Sequence, residues 1–138
     1  MPTLSWHEVA VVESERSYTA LLGYLQLGSF LMLPRFLWHT RQIEKQLKQT
    51  TGLIGYRLRA KVFAGKFFHL SAWKSEAAVL TFVQQQPHLR IMEKLVGRLG
   101  KTEFRYWTVK GSELPLVFER ELQRLSVSIL ERNRLTRR

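Results

Sequence analysis

Apolar and polar positions alternate most cleanly between Tyr56 and Val62. Tyr56, Leu58, Ala60 and Val62 fall on one side and Arg57, Arg59 and Lys61 on the other, the period of two that marks a half-buried strand. Ala64-Gly65 permits a tight turn, and Lys66 to Trp73 (KFFHLSAW) reads as the returning strand of a hairpin. Upstream, Ser17 to Leu27 (SYTALLGYLQL) is a strand-like run of aromatics and leucines, closed by Gly28-Ser29. Between these strands Phe36, Thr40, Ile43 and Leu47 recur at helical spacing, with Arg41, Glu44, Lys45 and Lys48 on the other side. Pro34 suits the first turn of that helix, where its missing N–H costs nothing. Gly52 suits a left-handed cap at its end.

A second helix is predicted after the capping residue Ser75, with Ala78, Val79, Phe82 and Val83 as its apolar stripe. Pro87 interrupts or restarts it, and Leu89, Met92, Leu95, Val96 and Leu99 continue the stripe. Thr102 to Lys110 (TEFRYWTVK) is a fourth strand. Pro115 opens a last helix with Phe118, Leu122, Leu125 and Ile129 on one face, and the basic run from Arg132 to Arg138 follows. The order β-α-β-β-α-β is the α+β, ferredoxin-like arrangement, here with an extra C-terminal helix. It divides the chain into an N-terminal segment (1–16), a ferredoxin-like domain (17–111) and a C-terminal helix with a basic tail (112–138). Both helices of this arrangement lie on one face of an antiparallel sheet. The other face needs a cover, and a second copy of the chain supplies one, with the C-terminal helix either over part of the face or clasping the partner. A homodimer is the expectation.

Composition narrows the picture further. The chain of 138 residues is 45% hydrophobic, so it can bury a core. No run of about 18 apolar residues is free of charge or turn signals, so no membrane span is expected. Met1 to Glu15 carries acids and no basic stretch, which argues against a signal peptide. Cysteine is absent, which excludes disulfides, thiolate metal sites and a cysteine nucleophile, and makes the cytoplasm the simplest compartment. The net charge is +11, and every acid is Glu. The excess sits in residues 31–111, with fifteen bases against four acids. Such a field attracts anions without choosing among nucleic acid, acidic membrane and small ligands. It also suits a merely solvated surface.

The stretch Phe67-Phe68-His69-Leu70-Ser71-Ala72-Trp73-Lys74-Ser75-Glu76, leading to Ala78, Phe82, Pro87 and His88, resembles the third-strand-to-second-helix segment of the antibiotic-biosynthesis-monooxygenase superfamily of dimeric α/β barrels. The likeness extends loosely from about Tyr18 to Pro115, and is greatest to uncharacterised bacterial members and spheroidene-monooxygenase-like proteins. It implies a site between sheet and helices, and a small apolar, aromatic, quinol or polyene ligand. The superfamily holds cofactor-independent monooxygenases, haem-degrading enzymes, haem-binding relatives and members without known activity. The cofactor is therefore left open: none is required, or haem. This chain departs from the haem-degrading pattern. Its only Asn is Asn133, Phe82 falls where that branch has a helix Trp, and Met92 falls at the ligand position.

Each candidate residue has a functional and a plainer reading. His88 suits a proton handler or an axial ligand, because imidazole titrates near neutrality. It also suits a helix-start residue bonded to backbone. Trp73 and Phe82 suit the walls of an aromatic pocket, or a core. Arg57 and Arg59 suit a carboxylate-bearing ligand if they face a cavity, or edge-strand protection if they face water. His39 and His69 stand alone, with no second ligand at metal-binding spacing, so no metal site is predicted. An RNA-recognition module shares this element order, and Lys66-Phe67-Phe68 is the nearest match to its aromatic motif, without the flanking glycines. A non-catalytic domain that binds RNA or another anion through its basic surface is thus the alternative function.

Overall fold

The structure, a computed structural model, describes residues 5–123. Its elements are β1 (His7–Glu8), β2 (Ser17–Leu27), α1 (Leu33–Lys48), β3 (Leu53–Lys61), β4 (Lys66–Trp73), α2 (Glu76–Gln84), α3 (His88–Leu95) and β5 (Leu99–Lys110). The strands form one antiparallel sheet in the order β1-β3-β4-β2-β5. This is the ferredoxin-like arrangement, with the short β1 added outside β3. β2 and β4 occupy the centre, each followed by a helical crossover that carries the chain to an outer strand, β3 or β5.

Local chemistry explains the element ends. Pro34 sits in the first turn of α1, and Lys45 and Lys48 face the negative end of its dipole. The Ser75 hydroxyl accepts the Ala78 N–H at 3.2 Å and starts α2. Pro87 ends the pattern there, so the predicted second helix is two helices, α2 and α3. Several boundaries differ from the sequence reading. α1 ends at Lys48 with Gln49 as its cap, and Gly52 lies four residues later in the turn into β3. Its φ of +94° is left-handed, so the reading of its backbone holds and its role changes. β3 begins at Leu53 rather than Tyr56, because a register shift between Leu53 and Gly55 breaks the alternation there. β5 begins at Leu99 rather than Thr102. The predicted last helix is helical at 118–123, while Leu125, Ile129 and the basic tail lie outside the described residues.

The core has two sides. On the helix side, Leu21, Leu53, Tyr56 and Trp73 pack against Val79 and Phe82, and Leu27 packs against Phe36, Ile91 and Leu95. On the opposite face, Tyr18, Ala20, Leu22, Leu70, Ala72 and Val109 are buried together with Leu116 and Phe118. That face is covered by the chain itself: Trp6, Ala10 and Val12 arrive from one end and Leu114, Leu116, Phe118 and Leu122 from the other. The expected bare face, from which a second copy was inferred, is thus largely closed by residues flanking the sheet. No helix among the described residues is long and apolar enough to cross a membrane.

Candidate functional site

Side chains at every second position of β4 share one face of the sheet, so Trp73, Ser71, His69 and Phe67 all point to the helices. Trp73 donates its indole N–H to the Ser71 hydroxyl at 2.8 Å, which satisfies a buried polar atom and fixes the ring. Phe82 on α2 meets Trp73 with ring centroids 5.4 Å apart, and His88 on α3 meets Phe82 at 5.0 Å. Trp73, Phe82 and His88, read from the sequence as one group, therefore form a continuous run of rings between sheet and helices.

His88 is oriented by two hydrogen bonds. Its backbone N–H donates to Gln46 Oε1 of α1 at 3.0 Å, and its Nδ1 lies 3.1 Å from the Val83 carbonyl oxygen. A carbonyl only accepts, so the neutral imidazole carries its proton on Nδ1 and its lone pair on Nε2. Burial lowers its pKa below the ordinary value, opposed in part by the Val83 bond. At neutral pH the group is an uncharged base.

His69 is the residue that sequence reasoning left isolated. It pairs across the ladder with Gly23 of β2 and with Leu58 of β3. Its ring occupies the space above Gly23, where a Cβ would lie 2.1 Å from Nε2. Some of the residue stays accessible, yet protein encloses the imidazole. Burial, and secondly the charge His88 would carry, push its pKa down to about 4. Two uncharged imidazoles therefore share one neighbourhood, and protonating either disfavours protonating the other. The signal was present in the sequence: a glycine inside an apolar strand marks a close approach, and His69 has the same parity as Trp73. Gly23→Ala is expected to displace the ring at a cost of about 1–3 kcal/mol and to raise the His69 titration toward 6.5. Urea unfolding and a histidine NMR titration measure both, and an unmoved titration would mean that the ring does not rest on Gly23.

The site is lined on its β5 side by Phe104, which pairs with Gly23 and lies 6.4 Å from His69. Phe104 and Tyr106 are exposed, so this flank of the helix-side face is accessible. Arg57 and Arg59 lie elsewhere. They pair with Leu70 and Phe68 on the opposite face, and Arg59 binds Glu119 and stacks over Phe118 at 4.7 Å. The structure thus does not bring the two arginines together with Trp73, Phe82 and His88. Both sit half-buried on β3, whose outer side pairs with β1 at Tyr56 and Gly55. His39 is buried on α1 among the positive charges of Lys94, Arg35 and Arg90, and burial first, then those charges, lower its pKa.

No cluster of three or more potential metal ligands occurs among the described residues. Met92, at the haem-ligand position of the haem-degrading pattern, packs into the apolar cluster with Leu27, Phe36, Ile91 and Leu95. The residues therefore do not fit haem held in that way.

No protein-family model matches the sequence, and no curated protein matches it. Solved structures do. SnoaB, a cofactor-independent oxygenase from Streptomyces nogalater, superposes with a TM-score of 0.52 at 14% identity, over 72% of this chain and 98% of that one. A protein from Deinococcus radiodurans assigned as an antibiotic biosynthesis monooxygenase gives 0.56 at 14% identity, over 64% and 89%. One from Lactobacillus acidophilus assigned as a monooxygenase gives 0.60 at 8% identity, over 72% and 47%, so this chain spans about half of its length. At such identities the likeness is one of fold.

Proposed function

We propose that this chain, which has the fold of the antibiotic-biosynthesis-monooxygenase-like α/β barrels, is an oxygenase acting on an electron-rich aromatic held between its sheet and helices. The observation that supports this is the pair of uncharged imidazoles, His88 and His69, set among Trp73, Phe82 and Phe104. The His88 Nε2 lone pair takes a proton from a phenolic, quinol or activated C–H group. The resulting anion is rich enough in electrons to reduce dioxygen and forms a peroxide, which takes back a proton. The buried imidazolium gives that proton up readily because its charge is poorly solvated. Loss of water from the peroxide leaves a ketone. One oxygen atom thus enters the product and the other leaves as water. A polyene offers no such acidic proton, so this arrangement favours the phenolic and quinol classes over it. Aromatic walls suit a planar ligand.

Dithranol, a dihydroxyanthrone, is a suitable probe, because removal of a proton from its methylene group starts the same sequence toward the anthraquinone. Wild-type protein is expected to consume one dioxygen per dithranol, and His88→Ala to lower the rate by about 100-fold while its melting temperature stays close to wild type. Equal rates in the two proteins would remove His88 from the reaction.

A homodimer belongs to the same proposal, on the strength of the fold; its mark is thermal unfolding that depends on protein concentration. The alternative is a module that binds RNA or another anion through its basic surface, and its RNA-recognition form needs an open aromatic platform on the central strands. On that face Tyr24 packs on Phe68 at 4.9 Å, and Phe118 packs on Phe68 at 6.4 Å. The platform is in use by the chain's own core.

A further inference from the structure

We propose that Gln46, on α1, is a positioning residue for His88: its carboxamide ties the end of α2 to the start of α3 and so holds the His88 imidazole against the Val83 carbonyl. The catalytic part of this inference rests on the oxygenase reading above; the structural part does not.

The first amides of a helix have no partner inside it, and a capping side chain usually supplies one. Pro87 stands at the cap position of α3 and makes no side-chain bond to it. Gln46 makes one instead, from 42 residues away: its Oε1 accepts the His88 N–H at 3.0 Å. The other end of the same amide donates from Nε2 to the Phe82 carbonyl oxygen at 3.3 Å, in the last turn of α2. The donor and acceptor ends of one carboxamide thus serve opposite sides of the break between the helices. Phe82 is itself the ring that contacts His88, and Val83, the next residue, is the acceptor for its Nδ1. Gln46 therefore fixes the distance between the imidazole and both of its neighbours. The requirement is specific. Glu keeps the acceptor for the His88 N–H and gives up only the donor to the Phe82 carbonyl. Met matches the length and offers neither bond.

A residue that merely glued α1 to the junction would, when replaced, move only the melting temperature. A positioning residue also changes the state of His88. Histidine side-chain nitrogen NMR reads the tautomer and titration of each imidazole separately, so it should be applied to wild type, Gln46→Met and Gln46→Glu. In wild type the His88 proton is expected on Nδ1. In Gln46→Met the two tautomers should mix, and the titration midpoint should rise, because release from burial outweighs loss of the Val83 bond. Gln46→Glu should keep the Nδ1–H form. His69, from β4, is electrostatically coupled to His88, and Lys45 on α1 lines a groove of about 340 Å³ with Gln46 and with Pro87, the residue before His88. Neither is altered in the variants, and His7 and His39 are internal controls. With dithranol, Gln46→Met should lower kcat about tenfold, leave KM within about twofold, and move the pH profile in the direction of the NMR midpoint. An unchanged His88 tautomer and midpoint in Gln46→Met would overturn the proposal. If that variant does not fold, a wild-type imidazole already lacking the Nδ1–H form, or one that loses it in Gln46→Glu, would do so. Altered NMR in a protein whose wild type ignores dithranol would leave Gln46 in its role and remove the oxygenase reading instead.

Discussion

Phe118→Ala is expected to lose about 3–5 kcal/mol of folding stability, the usual cost of deleting a buried aromatic. Phe118 is fully buried. Its ring meets Phe68 edge-on at 6.4 Å and lies under the Arg59 guanidinium at 4.7 Å. It belongs to the cover over Tyr18, Leu22, Leu70 and Ala72. Domains of this size are stable by about 5–15 kcal/mol, so the loss would be a large share of the total. Removing the ring also bares Phe68 and Tyr24, and the variant should bind a hydrophobic dye. Urea unfolding at two protein concentrations is the measurement. A loss below about 1 kcal/mol, together with stability that rises with concentration, would mean that a second copy, rather than residues 114–122, closes this face in solution.

The second large effect is a fall in stability as pH drops from about 7 toward 4. His69 titrates near 4 in the folded chain, below the ordinary 6.5. Between those values the unfolded chain binds a proton that the folded one refuses. Acidification therefore favours unfolding throughout this window, and the effect levels off below the folded pKa. A depression of that size corresponds to roughly 3 kcal/mol. His88 and His39 are lowered as well and add loss in the same direction. His69→Gln should flatten the profile by removing the largest of these contributions. Unfolding midpoints at pH 7, 5.5 and 4.5 decide the matter, and equal slopes in wild type and variant would mean that His69 is solvated in solution.

The sequence made the sheet legible wherever one face of a strand is apolar and the other polar, as at Tyr56 to Lys61. It was less legible at Leu53-Ile54-Gly55, where an irregular register buries consecutive residues and erases the alternation. The helix capped by Ser75 and the break at Pro87 were readable because their chemistry is local. The closure of the second face was not, because Trp6, Val12, Leu116 and Phe118 meet it through contacts distant in sequence. The same divides the site. Trp73, Phe82 and His88 were found through one contiguous stretch. His69 lies within that stretch and was set aside because it had no partner in sequence; its partners are Gly23 across the ladder and His88 across the layer. Gln46 carries no signal at all, since a glutamine among helix-surface residues such as Lys45 and Lys48 reads as solvated. Arg57 and Arg59 were grouped with the aromatics by charge alone, and strand parity separates them.

Because β2 is flanked along its length by β4 and β5, its central amides have no edge from which to open. Leu22, paired with Leu70 on one side and Arg105 on the other, should exchange its amide hydrogen for deuterium only when the whole domain unfolds. β1, joined to β3 at two residues, should exchange by local fraying within far shorter times. A single slow amide in the middle of the sheet thus works as a built-in gauge of global stability, one that can be read in native buffer without denaturant.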